Sequence, residues 1–111
     1  MIIEFKTQKL QKTCNSSKEI IKKWGAQNGA KIMQRLSELR AANALEEISH
    51  LPPPRLHQLS NDKDEILAVD IKQPYRIIFE VNNKPFPRKP DGGIDRSKVT
   101  KILIISAMDY H

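Results

Sequence analysis

Five residues concentrate the chemistry of this chain: His57, Arg76 and the run Asp109-Tyr110-His111. Together they offer two imidazoles, a carboxylate, a phenol and a guanidinium, a competent set for cleaving RNA without a metal. That reaction needs a base to take the proton of the ribose 2′-hydroxyl and an acid to protonate the leaving 5′-oxygen. It also needs fixed positive charge for the phosphate in its transition state. Histidine titrates close to neutral pH and suits the first two roles, and arginine suits the third. The third histidine, His50, stands just before Pro52-Pro53-Pro54 at an expected helix end and reads as structural. Metal chemistry is the competing use of His and Asp. The chain has a single cysteine, Cys14, and no ligand pair at helical or knuckle spacing, so no metal site is expected. Phosphate-loop, dinucleotide-binding and nucleophile-elbow motifs are absent, and no cofactor is expected.

The elements that must position these residues follow from the pattern of apolar side chains. Ile102-Leu103-Ile104-Ile105, within a strand from Val99 to Met108, reads as a buried central strand that carries the terminal tripeptide at its rim. Arg55 to Leu59 is a short strand, with Leu56 on one face and His57 on the other. Leu67, Val69 and Ile71 alternate with Ala68, Asp70 and Lys72. Tyr75, Ile77, Phe79 and Val81 alternate with Arg76, Ile78 and Glu80. Two such runs joined through Gln73-Pro74 form an antiparallel hairpin. If the strand of His57 neighbours the last strand, His57 and His111 approach each other and Arg76 can join them.

Upstream, Ile2 to Lys6 is a first strand, with Ile3 and Phe5 inward and Glu4 and Lys6 outward. Thr7 caps a helical turn through Lys12. Asn15-Ser16-Ser17 starts a second helix with Ile20, Ile21 and Trp24 on one face. Gly25 and Asn28-Gly29 signal a break, and a stronger helix runs from about Ala30 to Ala41. Ile32, Met33, Leu36 and Leu39 are its buried stripe, and Lys31, Gln34, Arg35, Glu38 and Arg40 its outer face. A further helical turn, Ala44 to Ser49, ends at the prolines. Ser60 to Asp64 is a polar turn. Asn82 to Lys98 is an insertion with three prolines and Gly92-Gly93. Its five cationic side chains against two carboxylates leave +3. It is either a solvated loop or a basic finger for RNA phosphates or a partner.

With 111 residues the chain is read as one domain, residues 1–111, and its net charge of +6 favours a polyanionic or acidic partner. The lone cysteine fits a reducing compartment. The absence of an apolar run of membrane-spanning length, or of a signal-peptide pattern, predicts a soluble cytoplasmic protein. Helices first and a hairpin sheet afterwards predict a small α+β two-layer domain, with an N-terminal strand and helices on a twisted, mainly antiparallel sheet. The uncovered sheet face is the natural place for RNA, with Lys6, Lys9, Arg55 and Lys63 as its basic contacts.

Three stretches in order, Arg55-Leu56-His57-Gln58-Leu59, Pro74-Tyr75-Arg76-Ile77-Ile78-Phe79 and Asp109-Tyr110-His111, resemble the HigB toxins of the RelE/ParE superfamily. The insertion Pro85 to Asp95 is similar to one in a subgroup of that family. The resemblance implies a RelE-like fold and a ribosome-dependent mRNA endonuclease of a type II toxin–antitoxin system. Its partners would be the ribosome, mRNA and a cognate HigA-like antitoxin, with a monomeric toxin assembling into a hetero-oligomer. His57 would be the family histidine, Arg76 the sheet arginine, and Asp109, Tyr110 and His111 the terminal catalytic group. His111 or Asp109 would act near the 2′-hydroxyl, His57 near the leaving group and Arg76 on the phosphate. The turn after His57 departs from the pattern. Ser60 replaces the usual lysine, while Asp64 and Glu65 add negative charge, which Lys63 offsets. Two rival readings share the fold: a ParE-like gyrase inhibitor that cleaves nothing, and a decayed toxin that only binds antitoxin or RNA.

Overall fold

The computed structural model describes residues 1–59 and 65–109, with Asp109 defined by its main chain alone. Five strands form one sheet in the order β1-β5-β4-β3-β2: β1 is Ile2–Phe5, β2 His57–Gln58, β3 Leu67–Asp70, β4 Tyr75–Val81 and β5 Lys101–Asp109. Only the β1–β5 pair is parallel, so the sheet is mixed, with three antiparallel pairings. The small α+β domain with its helices on one sheet face agrees with the sequence reading. The neighbour relation drawn for His57 does not hold. Strand β2 lies at the far edge, separated from β5 by β3 and β4, or about 14 Å at the usual strand spacing. Nor is β5 central. It is the second strand, and its apolar run is buried on one side only: Ile102 and Ile104 are enclosed, whereas Leu103 and Ile105 are half-buried.

Three helices cover the other side of that core: α1 (Gln8–Cys14), α2 (Ser17–Trp24) and α3 (Ala26–Ala41). Thr7 and Ser16 cap the first two, their hydroxyls accepting from the Leu10 and Glu19 amides at 3.0 and 3.2 Å. The break falls at Gly25, whose φ of +86° suits a residue without Cβ. The pair Asn28-Gly29 is no break, and α3 starts four residues earlier than its apolar stripe suggested. Gly29 serves packing instead. A Cβ there would lie 3.2 Å from Ile20 Cγ2 and 3.3 Å from Ile21 Cγ1, so the missing side chain lets α2 and α3 approach. Of the face expected to be apolar on α2, Ile20 is buried, Ile21 is exposed and Trp24 is half-buried.

Ile32, Leu36 and Leu39 of α3 pack with Leu67, Val69, Ile77, Phe79, Val81, Ile102 and Ile104 in the main core. Arg35, expected on the outer face, is only 2% exposed. It is tolerated because its donors are used: Nε donates to the Asp70 carbonyl at 2.8 Å and Nη1 to the Glu38 carboxylate at 3.1 Å. The turn after α3 is a single 3₁₀ turn, Leu45–Glu47, shorter than the helical turn expected.

Strand β5 contains the irregularity that decides which way its end faces. Ile78 pairs with Ser106 but Phe79 with Ile104, so Ile105 is an extra residue in the ladder. Before this bulge Ile102 and Ile104 face the helices. After it Ala107 does, while Ile105, Ser106 and Met108 lie on the open side. Beyond the end of β1, the Trp24 indole donates to the Ala107 carbonyl at 3.2 Å and holds this end of β5 to α2.

Replacing Gly29 with Val is expected to destabilise the domain by about 1–3 kcal/mol through overpacking at the α2–α3 contact. Urea denaturation checks this, and a midpoint equal to that of the unmodified protein would mean that the contact relaxes freely.

Candidate functional site

Among the described residues, the face away from the helices carries a small apolar cluster, Leu59, Ala68 and Ile78 with Ile66 and Ile105 packed against it. A groove of about 440 Å³ runs over it, lined by Lys6, Ile66, Ile78, Glu80, Ile105, Ser106 and Met108. The Ser106 hydroxyl is buried without a hydrogen-bond partner among the described residues. At the end of this face where β3 stops and β4 begins, polar side chains gather.

Asp70 is the centre of that group. Its side chain shares the open face with Ala68, because Leu67 and Val69 take the core side. Arg55 donates to its carboxylate twice, Nε to Oδ2 at 2.6 Å and Nη2 to Oδ1 at 3.1 Å. Gln73 Nε2 donates to Oδ2 at 3.0 Å. Arg76, opposite Asp70 in the ladder, brings its Nε to 3.8 Å from Oδ1, too far for a hydrogen bond, and that buried nitrogen has no other partner among the described residues. The hydrogen bond from Arg55 to Asp70 raises the Arg55 guanidinium still further above its high ordinary value, so it is charged at any working pH.

His57 belongs to the same network through the main chain of Arg55. Its Nδ1 lies 2.6 Å from the Arg55 carbonyl. A carbonyl only accepts, so Nδ1 carries the proton and Nε2 is left as the acceptor of the neutral ring. Arg55 holds this position with φ of +45°, a left-handed conformation that costs a non-glycine residue about 1–2 kcal/mol. Such strain persists where the surroundings over-determine it and often marks functional sites. Here the two hydrogen bonds to Asp70 provide the restraint.

His57, Arg55 and Arg76 are therefore brought to one end of the open face, joined through Asp70. His57 pairs with Ala68 and Arg76 with Asp70, so the two occupy successive same-face rows on strands separated by β3. The last residues of β5 lie at the same end of the sheet, with Met108 opposite Arg76 and Asp109 opposite Tyr75. Tyr110, His111, Lys63 and the turn Ser60 to Asp64, like the side chain of Asp109, lie outside the described residues. Among the expected basic contacts, Lys6 lines the open groove and Arg55 is engaged by Asp70. Lys9 lies elsewhere, in a groove between α1 and α2 with Gln8, Lys12, Thr13 and Glu19. Asp70 is the residue that sequence reasoning missed. Its signal was an acid between Val69 and Ile71 at the end of an otherwise apolar strand. Ser106 had no such signal, because the bulge sets its direction. Cys14 is packed in the core, and burial pushes its thiol pKa up, as for an unreactive structural cysteine.

The insertion is anchored to the domain at two apolar points, while Lys84, Pro85 and the run Arg88 to Gly92 stay exposed. Phe86 and Ile94 pack against the main core, and Arg88 bridges to Ile94 in a short β contact. The Lys89 amide donates to the Gly93 carbonyl and the Gly92 amide to the Lys89 carbonyl, both at 2.8 Å. Arg88 stacks on the Phe86 ring at 4.3 Å and donates to both Glu65 oxygens, at 3.0 and 2.7 Å. Glu65, part of the negative charge that sets this turn apart from the HigB pattern, thus pairs with the insertion. The Arg88 hydrogen bonds hold its carboxyl below the ordinary range. Asp95 caps the 3₁₀ turn Arg96–Lys98, and the Ser97 hydroxyl holds its carboxyl below the ordinary range as well.

The Glu65–Arg88 pair gives a pH dependence of known sign. A carboxylate with a depressed folded pKa contributes above its unfolded pKa, and that contribution is lost as pH falls through the folded value. Arg88→Gln is expected to lower the exchange protection of the Lys89 and Gly92 amides at neutral pH, and acidifying the unmodified protein through the folded pKa of Glu65 should do the same. Equal protection in the variant and the unmodified protein would show that Phe86 and Ile94 hold the insertion without the ion pair.

No protein-family model matches the chain, and no curated protein or solved structure matches it either.

Proposed function

We propose that this protein is a HigB-type toxin, an mRNA endonuclease that acts on the ribosome and is restrained by a cognate antitoxin. The observation that carries the reading is that His57, Arg55 and Arg76 gather on the open face at the end of the sheet where β5 also finishes. In this reading the RNA strand lies along that face and Arg76 meets the scissile phosphate. Asp109 or His111 removes the 2′-hydroxyl proton, and the resulting oxyanion attacks phosphorus. Protonated His57 gives the proton from Nε2 to the departing 5′-oxygen. The products are a 2′,3′-cyclic phosphate and a 5′-hydroxyl end, with no water or metal consumed. The sequence resemblance supplies the family, and the charge of +6 supports a polyanionic substrate.

A binding-only protein is the second reading, and one observation favours it. Both guanidinium groups of the site face a buried carboxylate, Arg55 bidentately, which reduces the charge offered to RNA. Mapping RNA 5′ ends after cell-free translation of a defined message separates the two readings. Codon-positioned, ribosome-dependent ends are expected. They should fall by about 10²–10⁴-fold with His57→Ala or with His111→Ala. An intact message together with a supercoiling defect would mean a gyrase inhibitor, and an intact message without one would mean a binder.

The basic contacts should also separate by position. Lys6→Gln is expected to reduce the log–log salt slope of RNA binding by about 0.7–1, one phosphate's worth, because Lys6 lines the open groove. Lys9→Gln should leave the slope unchanged, since Lys9 lies in the α1–α2 groove. The reverse pattern would move the RNA to the helical side.

A further inference from the structure

Asp70 treats its two arginines unequally. Arg55 gives it two hydrogen bonds, and Gln73 adds a third. Arg76 presents only Nε, at 3.8 Å, and no acceptor among the described residues takes its terminal nitrogens. One guanidinium is thus bound, while the other has no hydrogen-bond acceptor among the described residues. The carboxylate is itself held from behind, through its own residue's main chain. Arg35 of α3 donates to the Asp70 carbonyl, and the Asp70 amide donates to the Pro54 carbonyl at 2.7 Å. Arg55, adjacent to Pro54, also supplies the carbonyl on which the His57 ring rests.

We propose that Asp70 is the positioning residue of this site: its carboxylate fixes Arg55, and with it the His57 ring, and turns the terminal nitrogens of Arg76 toward an incoming RNA phosphate. The proposal rests on the endonuclease reading for its substrate, but not for its geometry. An arginine with a carboxylate behind Nε keeps both terminal amino groups free for two phosphate oxygens. Without that carboxylate the buried Nε is left with no counter-charge and the guanidinium turns to find one. Arg55, released from its two bonds, loses the restraint on its left-handed main chain.

The test is Asp70→Asn, which keeps the shape of the side chain and removes its charge. Three measurements are made on the full chain: binding to a 2′-O-methylated oligoribonucleotide across salt concentrations, single-turnover cleavage of message on ribosomes, and melting. Removing an anion from a basic face should tighten binding and steepen the salt slope by about 0.7, one charge on a single strand. Cleavage should nevertheless fall by about 10–100-fold. These opposite signs are what a purely structural role does not produce. The second expected result is coupling. Arg76→Gln should slow cleavage far less in the Asp70→Asn background than in the unmodified protein.

Equal losses of binding and cleavage with a lowered melting temperature would overturn the proposal, as would unchanged cleavage or equal costs of Arg76→Gln in both backgrounds. If Asp70→Asn does not fold, the Arg76 Nε–H resonance of the unmodified protein decides. A resonance that is protected from exchange, and that shifts in Asp70→Glu, supports the proposal. Free exchange in the unmodified protein overturns it. If the unmodified protein cleaves nothing, the endonuclease reading fails, and the salt slope alone judges Asp70: a steeper slope in Asp70→Asn retains it, and an unchanged slope removes it.

Discussion

Asp70 belongs to three parts of the molecule at once. Its main-chain oxygen accepts from Arg35 in the helical layer, its amide donates to Pro54 in the segment leading to the edge strand, and its carboxylate faces Arg55, Gln73 and Arg76 on the open side. A carboxylate this buried, with 6% of the residue exposed, is costly unless it is paired. The pairing then restricts everything around it. It holds Arg55 in a left-handed conformation, it defines where the His57 ring rests, and it limits the orientations open to Arg76. Removing one partner of such a group costs more than the pair contributes, because the remaining charge stays buried.

The open face owes its chemistry to the bulge at Ile105. Strict alternation through β5 would send Ser106 and Met108 into the helical core and leave Ala107 on the groove. The extra residue reverses the order, and it does so opposite Ile78, at the floor of the groove. A polar hydroxyl then reaches the surface side and a small alanine fits under the helices. Trp24 completes the arrangement by taking the Ala107 carbonyl where β1 no longer borders the strand. The main-chain groups of this last stretch are thereby satisfied from β4 on one side and from α2 at one point on the other.

The insertion works at the opposite end of the sheet. It closes on the core through Phe86 and Ile94 and on the start of β3 through Arg88 and Glu65. Part of its positive charge is therefore spent internally, and the charge available to a polyanion is smaller than composition suggests. Glu65, like Arg55, has a positive φ, and each of these strained residues is held by a two-bond ion pair.

Much of the architecture was legible in the chain itself. Thr7 and Ser16 are caps because their hydroxyls replace missing helical acceptors, a requirement that acts over three residues. The alternation in β3 and β4 and the tight Gln73-Pro74 connection specify a hairpin for similarly local reasons. Leu56 and His57 face opposite ways because strand geometry permits nothing else. What depended on distant partners was not legible. Arg35 has the neighbours of a surface residue, yet it is buried because a carbonyl 35 positions away accepts its hydrogen bond. Gly29 resembles a helix breaker in sequence, but its role is set by the approach of Ile20 and Ile21. The edge position of β2 and the bulge in β5 are choices of pairing among strands, and any single strand is compatible with several. Residue types and spacing thus determined that His57, Arg76 and a β5 end were available. Only the tertiary structure placed a buried carboxylate between the arginines, because that contact exists only once β3, β4 and the segment before β2 are paired.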